Sequence, residues 1–249
     1  MPTWERSDLL LELNDVVAGY GRGPDILDGL SLEIEEGRTY CMIGPNGAGK
    51  STVLKVVGGI LAPRSGSVRF AGTEVGGLRP DQLLQRGVCF VPQDPSLFTK
   101  MTVRQNLTMG AYLESDKSVA RKRLGEIFDM FPVLAEKERQ PAGTLSGGQQ
   151  QILLTARALM IKPKLMMIDE PSLGLAPQAA DQIFETIAEL KDLGITLLLV
   201  EQSVERGLFV SDWTFVLDLG QKRFEGPSDQ ILSDPRIREL YMGKAPTVE

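Results

Sequence analysis

Nine consecutive residues, Gly44 to Thr52 (GPNGAGKST), match G-x-x-x-x-G-K-[ST] in full and follow a strand-like run, Thr39 to Ile43. Few folds accommodate that arrangement, because a strand must end where a tight turn begins and a helix must start near Lys50. Gly44, Gly47 and Gly49 lack a Cβ, so the backbone can turn sharply and aim successive N–H groups at phosphate oxygens; Pro45, Asn46 and Ala48 complete the loop. Lys50 is expected to reach the β- and γ-phosphates of a nucleotide and Ser51 to offer a hydroxyl to Mg2+. Thr52 continues into a helix whose partly positive N-terminus faces the same anion. Kinases, GTPases and many motors share such a loop, so it specifies a ligand class and not a protein.

The rest of the composition narrows the field. With 249 residues, 42% hydrophobic and 24% charged, the chain matches ordinary globular proteins and is long enough for a substantial core. It has no apolar run of about 18 residues, and MPTWERSDLL lacks a basic-then-apolar leader, so the chain is expected neither to span a membrane nor to be exported. A net charge of −6 argues against nonspecific nucleic-acid binding. Cys41 and Cys89 both lie in apolar runs and are expected as buried thiols, not as a disulfide or metal pair. The chain has no histidine, which excludes histidine metal ligands and bases outright.

Strands are expected at Leu9 to Val17, Ile26 to Ile34, Ser67 to Phe70, Val88 to Val91, Lys164 to Ile168 and Ile195 to Val200, with a late pair at Trp213 to Leu217 and Lys222 to Phe224. Helices are expected from Thr52, from Pro80 to Gln85, and from Gln178 to Leu193 with Ile183, Phe184, Ile187 and Leu190 inward. Two short ones should lie between Pro227 and Met242. After Pro92-Gln93-Asp94-Pro95 the period becomes helical. Val103, Leu107, Met109 and Ala111 mark one helix; Ala120, Leu124, Ile127, Phe128 and Phe131 mark another, which Pro132 stops. A third helix opens at LSGGQQQ. Such alternation predicts an α/β fold with a mostly parallel sheet covered on both faces. The expected division is a core of residues 9–93 and 145–243, an inserted helical unit at 94–144, and loose termini at 1–8 and 244–249.

Two polar sites stand out beyond the loop. Asp169 and Glu170 end a run that fits a central buried strand, and ligands gather at the carboxyl ends of such strands. Tyr20, in the turn-rich segment ahead of the loop, has an aromatic face suited to a purine ring.

From LSGGQQ (Leu145 to Gln150) onward the chain resembles the ABC transporter ATPases. Phosphate loop, Gln93, this signature, LMMIDEP and SLGL occur in that family's order over nearly the whole length. The resemblance implies a P-loop ATPase fold with an antiparallel β subdomain and an inserted helical subdomain, hydrolysing ATP with Mg2+. It implies that Tyr20 stacks on adenine, that Asp169 holds Mg2+ through water, that Glu170 polarises the attacking water, and that Gln93 contacts the metal or that water. It further implies head-to-tail pairing with a second such ATPase, alike or different. Ser146, Gly147, Gly148 and Gln149 would then close on the nucleotide of the partner, and Ser172 to Leu175 would line the seam. Two permease subunits, and through them an external solute-binding protein, would place the chain peripherally at the cytoplasmic face of a bacterial inner membrane. EPSLGLAP, LLLVEQ and DPRIRELYMG resemble more closely the ATPases of branched-chain amino acid importers and of urea or amide importers. Two positions depart from the pattern: Gln93 stands where many of that subfamily carry Glu, and Gln202 where most of the family carry a histidine at the γ-phosphate. An export or lipid-transport ATPase, or a soluble non-transport relative, remains an alternative reading.

Overall fold

The computed structural model describes residues 9–94, 96–231 and 233. Its centre is a six-stranded sheet made of β3 (Thr39–Ile43), β6 (Val88–Val91), β7 (Leu165–Asp169), β8 (Thr196–Val200), β9 (Trp213–Asp218) and β10 (Gln221–Pro227), in the order β10-β9-β3-β8-β7-β6. All neighbours are parallel except β10, which turns back antiparallel on β9. β3, β7 and β8 are buried at every position, as a strand covered on both faces must be.

The period-two alternation sorts these side chains into layers. Tyr40, Met42, Leu165, Met167, Leu198, Val200, Phe215 and Leu217 point to one face. There they meet helix α1 (Lys50–Val57) and the antiparallel sheet of β1 (Leu9–Ala18), β2 (Leu27–Glu35), β4 (Ser65–Phe70) and β5 (Thr73–Glu74). Met166, Ile168, Leu197 and Leu199 point the other way, onto a helical layer that includes α3 (Val103–Gly110), α4 (Lys117–Met130), α6 (Gly147–Leu159) and α7 (Pro177–Asp192). Cys41 and Ile43 lie on that second face too, under α8 (Val204–Val210) and α9 (Ser228–Ile231). Both cysteines are buried and free, and burial pushes the Cys89 thiol up to about 12.

Several expectations need correction. β5 is too short for periodicity to reveal, and it exists only as a partner to β4. Met109 lies in α3 as expected but is exposed: Val103 and Leu107, with Ala111 at the C-cap, recur every four residues on the buried side, and Met109 sits about half a turn away from them. Pro132 does end α4, yet it also begins α5 (Pro132–Glu136), because its fixed φ and missing N–H suit a first helical position. Between Pro227 and Met242 one of the two expected short helices is present as α9; the other, like residues 1–8 and 244–249, lies outside the described residues.

Phe215 is wholly buried and stacked on Tyr40, with ring centroids 5.5 Å apart and planes 9° from parallel, on the face that meets the antiparallel sheet. Phe215→Ala should destabilise the chain by about 3–5 kcal/mol in denaturant titration. A loss below about 1 kcal/mol would mean that this layer is not packed as described.

Candidate active site

The carboxyl ends of β3, β6, β7 and β8 open on one edge of the sheet, and the polar residues expected from the sequence converge there. Behind β3, a Cβ on Gly44 would stand 2.4 Å from the Leu217 carbonyl oxygen, so only glycine lets the chain leave the sheet at that point. Gly49 sits at the N-cap of α1 with φ 100° and contributes no capping side chain. The first N–H groups of α1 are thereby left to an incoming anion.

Lys50 is 5% exposed, and its Nζ donates to the carbonyl oxygens of Gly44 (2.7 Å) and Pro45 (3.1 Å). Burial holds its pKa below the usual lysine value, while the Glu170 and Asp169 carboxylates pull it back up. Ser51 Oγ donates to Asp169 Oδ1 at 3.0 Å, joining the loop to the end of β7. Asp169 is 4% exposed, and burial raises its carboxyl above the ordinary range; the Ser51 bond opposes this and the Glu170 charge adds to it.

Glu170 follows in a left-handed conformation, φ 45°, with its N–H donated to the Val200 carbonyl at 2.8 Å. Asp15, Ala71, Lys162 and Leu219 share that conformation elsewhere, but Glu170 adopts it directly after the buried strand β7, where its backbone is tied to β8. Gln93, just past β6, brings Nε2 to 3.5 Å from Glu170 Oε2, and Gln202, just past β8, donates from Nε2 to Asn46 Oδ1 at 3.4 Å. Tyr20 is half exposed. Its hydroxyl lies 3.4 Å from Thr52 Oγ1 and accepts from Lys55 Nζ at 3.3 Å, and the Lys55 ammonium stands 5.3 Å from its ring centre. The Ser51 hydroxyl and Asp169 carboxylate form a hard oxygen pair, the donor chemistry Mg2+ takes when a nucleotide and water complete its shell.

The signature residues are not drawn into this cluster by any contact among the described residues. Ser146 caps α6: its Oγ accepts the Gln149 N–H (3.3 Å), and Gln149 Oε1 accepts the Ser146 N–H (3.2 Å). Gln149 is therefore folded back on its own helix, and the first-turn N–H groups of Gly147 and Gly148 are the ones without a helical carbonyl. A Cβ on Gly148 would fall 2.8 Å from Ala179 Cβ, so this glycine also permits α6 and α7 to approach closely.

One buried group escaped the sequence reading. Glu201 is 2% exposed, and its carboxylate accepts N–H bonds from Ser172, Gln202 and Ser203. Ser203 occupies the N-cap of α8, but its side chain makes no capping bond. The available signal was an acidic residue immediately after an all-apolar strand, the same pattern that singles out Asp169.

The Asp169 shift has a consequence for stability. Its carboxyl titrates higher folded than unfolded, so the ionised group costs stability at neutral pH, and the cost fades as pH falls through the raised value. Asp169→Asn keeps an acceptor for Ser51 and removes the charge. Without nucleotide or divalent cation, its thermal midpoint should lie above that of the parent, by about 2–4 °C per kcal/mol relieved in a chain this size. A lower midpoint would contradict the assigned cost.

The site can be set beside known proteins. The profile of the family described as ABC transporter matches residues 27–173. The high-affinity branched-chain amino acid transport ATP-binding protein BraG of Pseudomonas aeruginosa is 39% identical, over 94% of this chain and 100% of its own length. The probable branched-chain amino acid transport ATP-binding protein LivF of Archaeoglobus fulgidus is 38% identical, over 91% and 95%. Among solved structures, the ADP conformation of MJ1267, an ATP-binding cassette of an ABC transporter, superposes with a TM-score of 0.82 at 32% identity, covering 95% of this chain and 99% of that one. An α/β fold with a glycine phosphate loop at one strand end and paired carboxylates at another, matched over its length by such cassettes, makes this chain a member of the ABC transporter family: an ATP-binding, ATP-hydrolysing transporter subunit.

Proposed function

We propose that this chain energises the import of branched-chain amino acids or a closely related small solute. What carries the reading is the end-to-end match to BraG, together with a polar cluster in which Ser51 bonds Asp169, Gln93 reaches Glu170, and both carboxylates act electrostatically on Lys50.

In this reading Lys50 exchanges its bonds to the Gly44 and Pro45 carbonyls for phosphate oxygens when ATP enters, with the loop N–H groups and the start of α1 taking the remaining charge. Ser51, Asp169 through water, and Gln93 would hold Mg2+, which would supply positive charge to offset that of the phosphates. Glu170 orients a water so that its oxygen attacks Pγ as the bond from Pγ to the bridging oxygen breaks, and it receives the proton released. The Gln202 amide, beside Asn46, donates to a γ-phosphate oxygen where a histidine is usual. Tyr20 takes the adenine ring.

A second ATPase subunit, a copy or a relative, packs head to tail and applies Ser146 to Gln149 to this γ-phosphate. Leu173, half exposed on the segment after Glu170, supports the placing of the seam there. A solved cassette is described as a dimeric post-hydrolysis state bound to ADP and phosphate (TM-score 0.77, 25% identity, covering 88% of this chain and 99% of that one). Residues 94–144 form the inserted helical unit of a core at 9–93 and 145–243; in support, α3 to α5 follow one another between β6 and α6 with no strand between them.

The membrane partners fit the same scheme. Among the described residues no helix is long and apolar enough to cross a membrane. An open groove of about 590 Å³ runs between α2 (Pro80–Gln85) with β6 and α3 with α6, and Ile60, Phe98, Met109 and Tyr112 expose apolar surface there. It suits a cytoplasmic helix of a permease, itself served by an external binding protein, with this chain at the inner face of a bacterial membrane.

Two experiments test the assignment. Glu170→Gln should bind ATP as the parent does and lose turnover by about 10²–10⁴-fold; turnover within about threefold of the parent would remove the role. In vesicles carrying the assembled transporter, ATP should drive leucine uptake. Phe98→Ala should lower that uptake while hydrolysis by the isolated subunit stays near parental, and a parallel fall in both would place Phe98 in the core or the catalytic site. Transport of some other solute class by the intact assembly, with none of leucine, isoleucine or valine, would overturn the cargo.

A further inference from the structure

Glu201 ends β8, the strand that lies between the phosphate-loop strand β3 and the Asp169 strand β7. Its two carboxylate oxygens serve different segments. Oε2 accepts from the Gln202 N–H at 3.0 Å and the Ser203 N–H at 3.2 Å; Oε1 accepts from the Ser172 N–H at 3.2 Å. Ser172 belongs to the turn that leaves Glu170, and Gln202 is the residue whose amide reaches Asn46 in the phosphate loop.

A helix cap explains only half of this. One oxygen on a shorter side chain would satisfy the N–H groups that enter α8, and Ser203 already stands at the N-cap without using its hydroxyl there. The bond to Ser172 has no part in capping. It requires a side chain with two acceptor oxygens and enough reach to lie between the turns, and glutamate meets both conditions. The carboxylate is 2% exposed, and among the described residues no ion pair neutralises it, so the three N–H groups are its solvation. The fold also makes room for it: a Cβ on Gly207 of α8 would come within 3.3 Å of Glu201 Cβ and 2.7 Å of Cys41 Sγ.

We propose that Glu201 is a positioning residue that fixes the Gln202 turn and the Ser172 turn relative to each other. The amide that meets the γ-phosphate is then placed only when the 172–175 segment is placed. The inference rests on the proposed phosphate contact of Gln202, and it adds a physical link between that contact and the segment assigned to the second subunit.

Five proteins test it: parent, Glu201→Gln, Glu201→Asp, Gln202→Ala and the Glu201→Gln/Gln202→Ala double variant. Each is measured for maximal turnover with Mg-ATP, for affinity towards a fluorescent ADP analogue and for thermal midpoint. Glutamine keeps the shape but turns an NH2 group towards one set of N–H donors. Glu201→Gln should bind the analogue within about twofold of the parent and turn over about tenfold more slowly. In the Gln202→Ala background the same change should cost less than about threefold, because the group it positions is gone. Glu201→Asp can still reach the adjacent N–H groups of residues 202 and 203 but not Ser172, so its turnover should fall between parent and Glu201→Gln; it also keeps the test open if the glutamine variant does not fold. Parental turnover in Glu201→Gln, or in Glu201→Asp where the glutamine variant does not fold, would overturn the inference, as would an equal loss from Glu201→Gln with and without Gln202. The Gln202→Ala single variant separates the two ideas: parental turnover there removes the phosphate contact itself, whereas slow turnover there beside a parental Glu201→Gln removes only the positioning role.

Discussion

A buried ammonium faces two carboxylates at the edge of a parallel sheet, and the rest of the molecule is arranged around the problem this creates. Lys50, Asp169 and Glu170 sit at or beyond the ends of two core strands, β3 and β7, the first two almost without access to water. Burial works against the charge on both Lys50 and Asp169. Loop carbonyls and the Ser51 hydroxyl offset part of that cost. A triphosphate with its cation would supply the missing complement: anionic oxygens for Lys50 and the loop N–H groups, a metal for Asp169 and Ser51. A cluster of buried charges of this kind is less stable than a neutral one would be, which is the usual cost of pre-organising charge for a ligand.

Holding these groups requires a rigid support, and two packed layers provide it. Alternate side chains of β3, β7, β8 and β9 press against the antiparallel sheet and α1 on one side and against helices on the other. Neither face of a central strand can slip by one residue without exchanging its whole set of contacts. That fixed register places Met42, Asp169 and Val200 at one level, since Met42 and Asp169 both pair with Val200 across the sheet, and Gly44, Glu170 and Glu201 follow them within one or two residues. Polar residues that follow such strands inherit the precision of the core, even though they belong to turns.

How much of this could be read from the chain depended on how local each cause was. The phosphate loop was legible because its geometry is contained in nine neighbouring residues. Asp169 was legible because an acidic residue closing an all-apolar strand has few structural reasons to be there. The ends of β3, β6 and α2 fell where their residues change character. Pairing order was not legible: β3 meets β8 and β9, more than 150 residues away, and nothing near Thr39 records it. Met109 marked its helix but not a face of it, because an apolar residue in a helical window says nothing of its phase unless its neighbours are counted by fours. Gln149 was expected to face a nucleotide, yet the Ser-x-x-Gln spacing that folds it back on Ser146 was present in the sequence. Glu201 could be noticed but not interpreted, since one of its partners, Ser172, is 29 residues away and approaches only through the order of the strands.

The central claim is that the charge cluster around Lys50 is completed by Mg-ATP, and ligand-induced stabilisation measures this directly. Thermal midpoints of the parent and of Lys50→Ala should be compared with and without Mg-ATP. At about 100 times the dissociation constant the parent should gain close to 2.7 kcal/mol, which is about 5–11 °C for a chain of this length, and Lys50→Ala at the same concentration should gain little. Equal gains in the two proteins would mean that the nucleotide is held elsewhere.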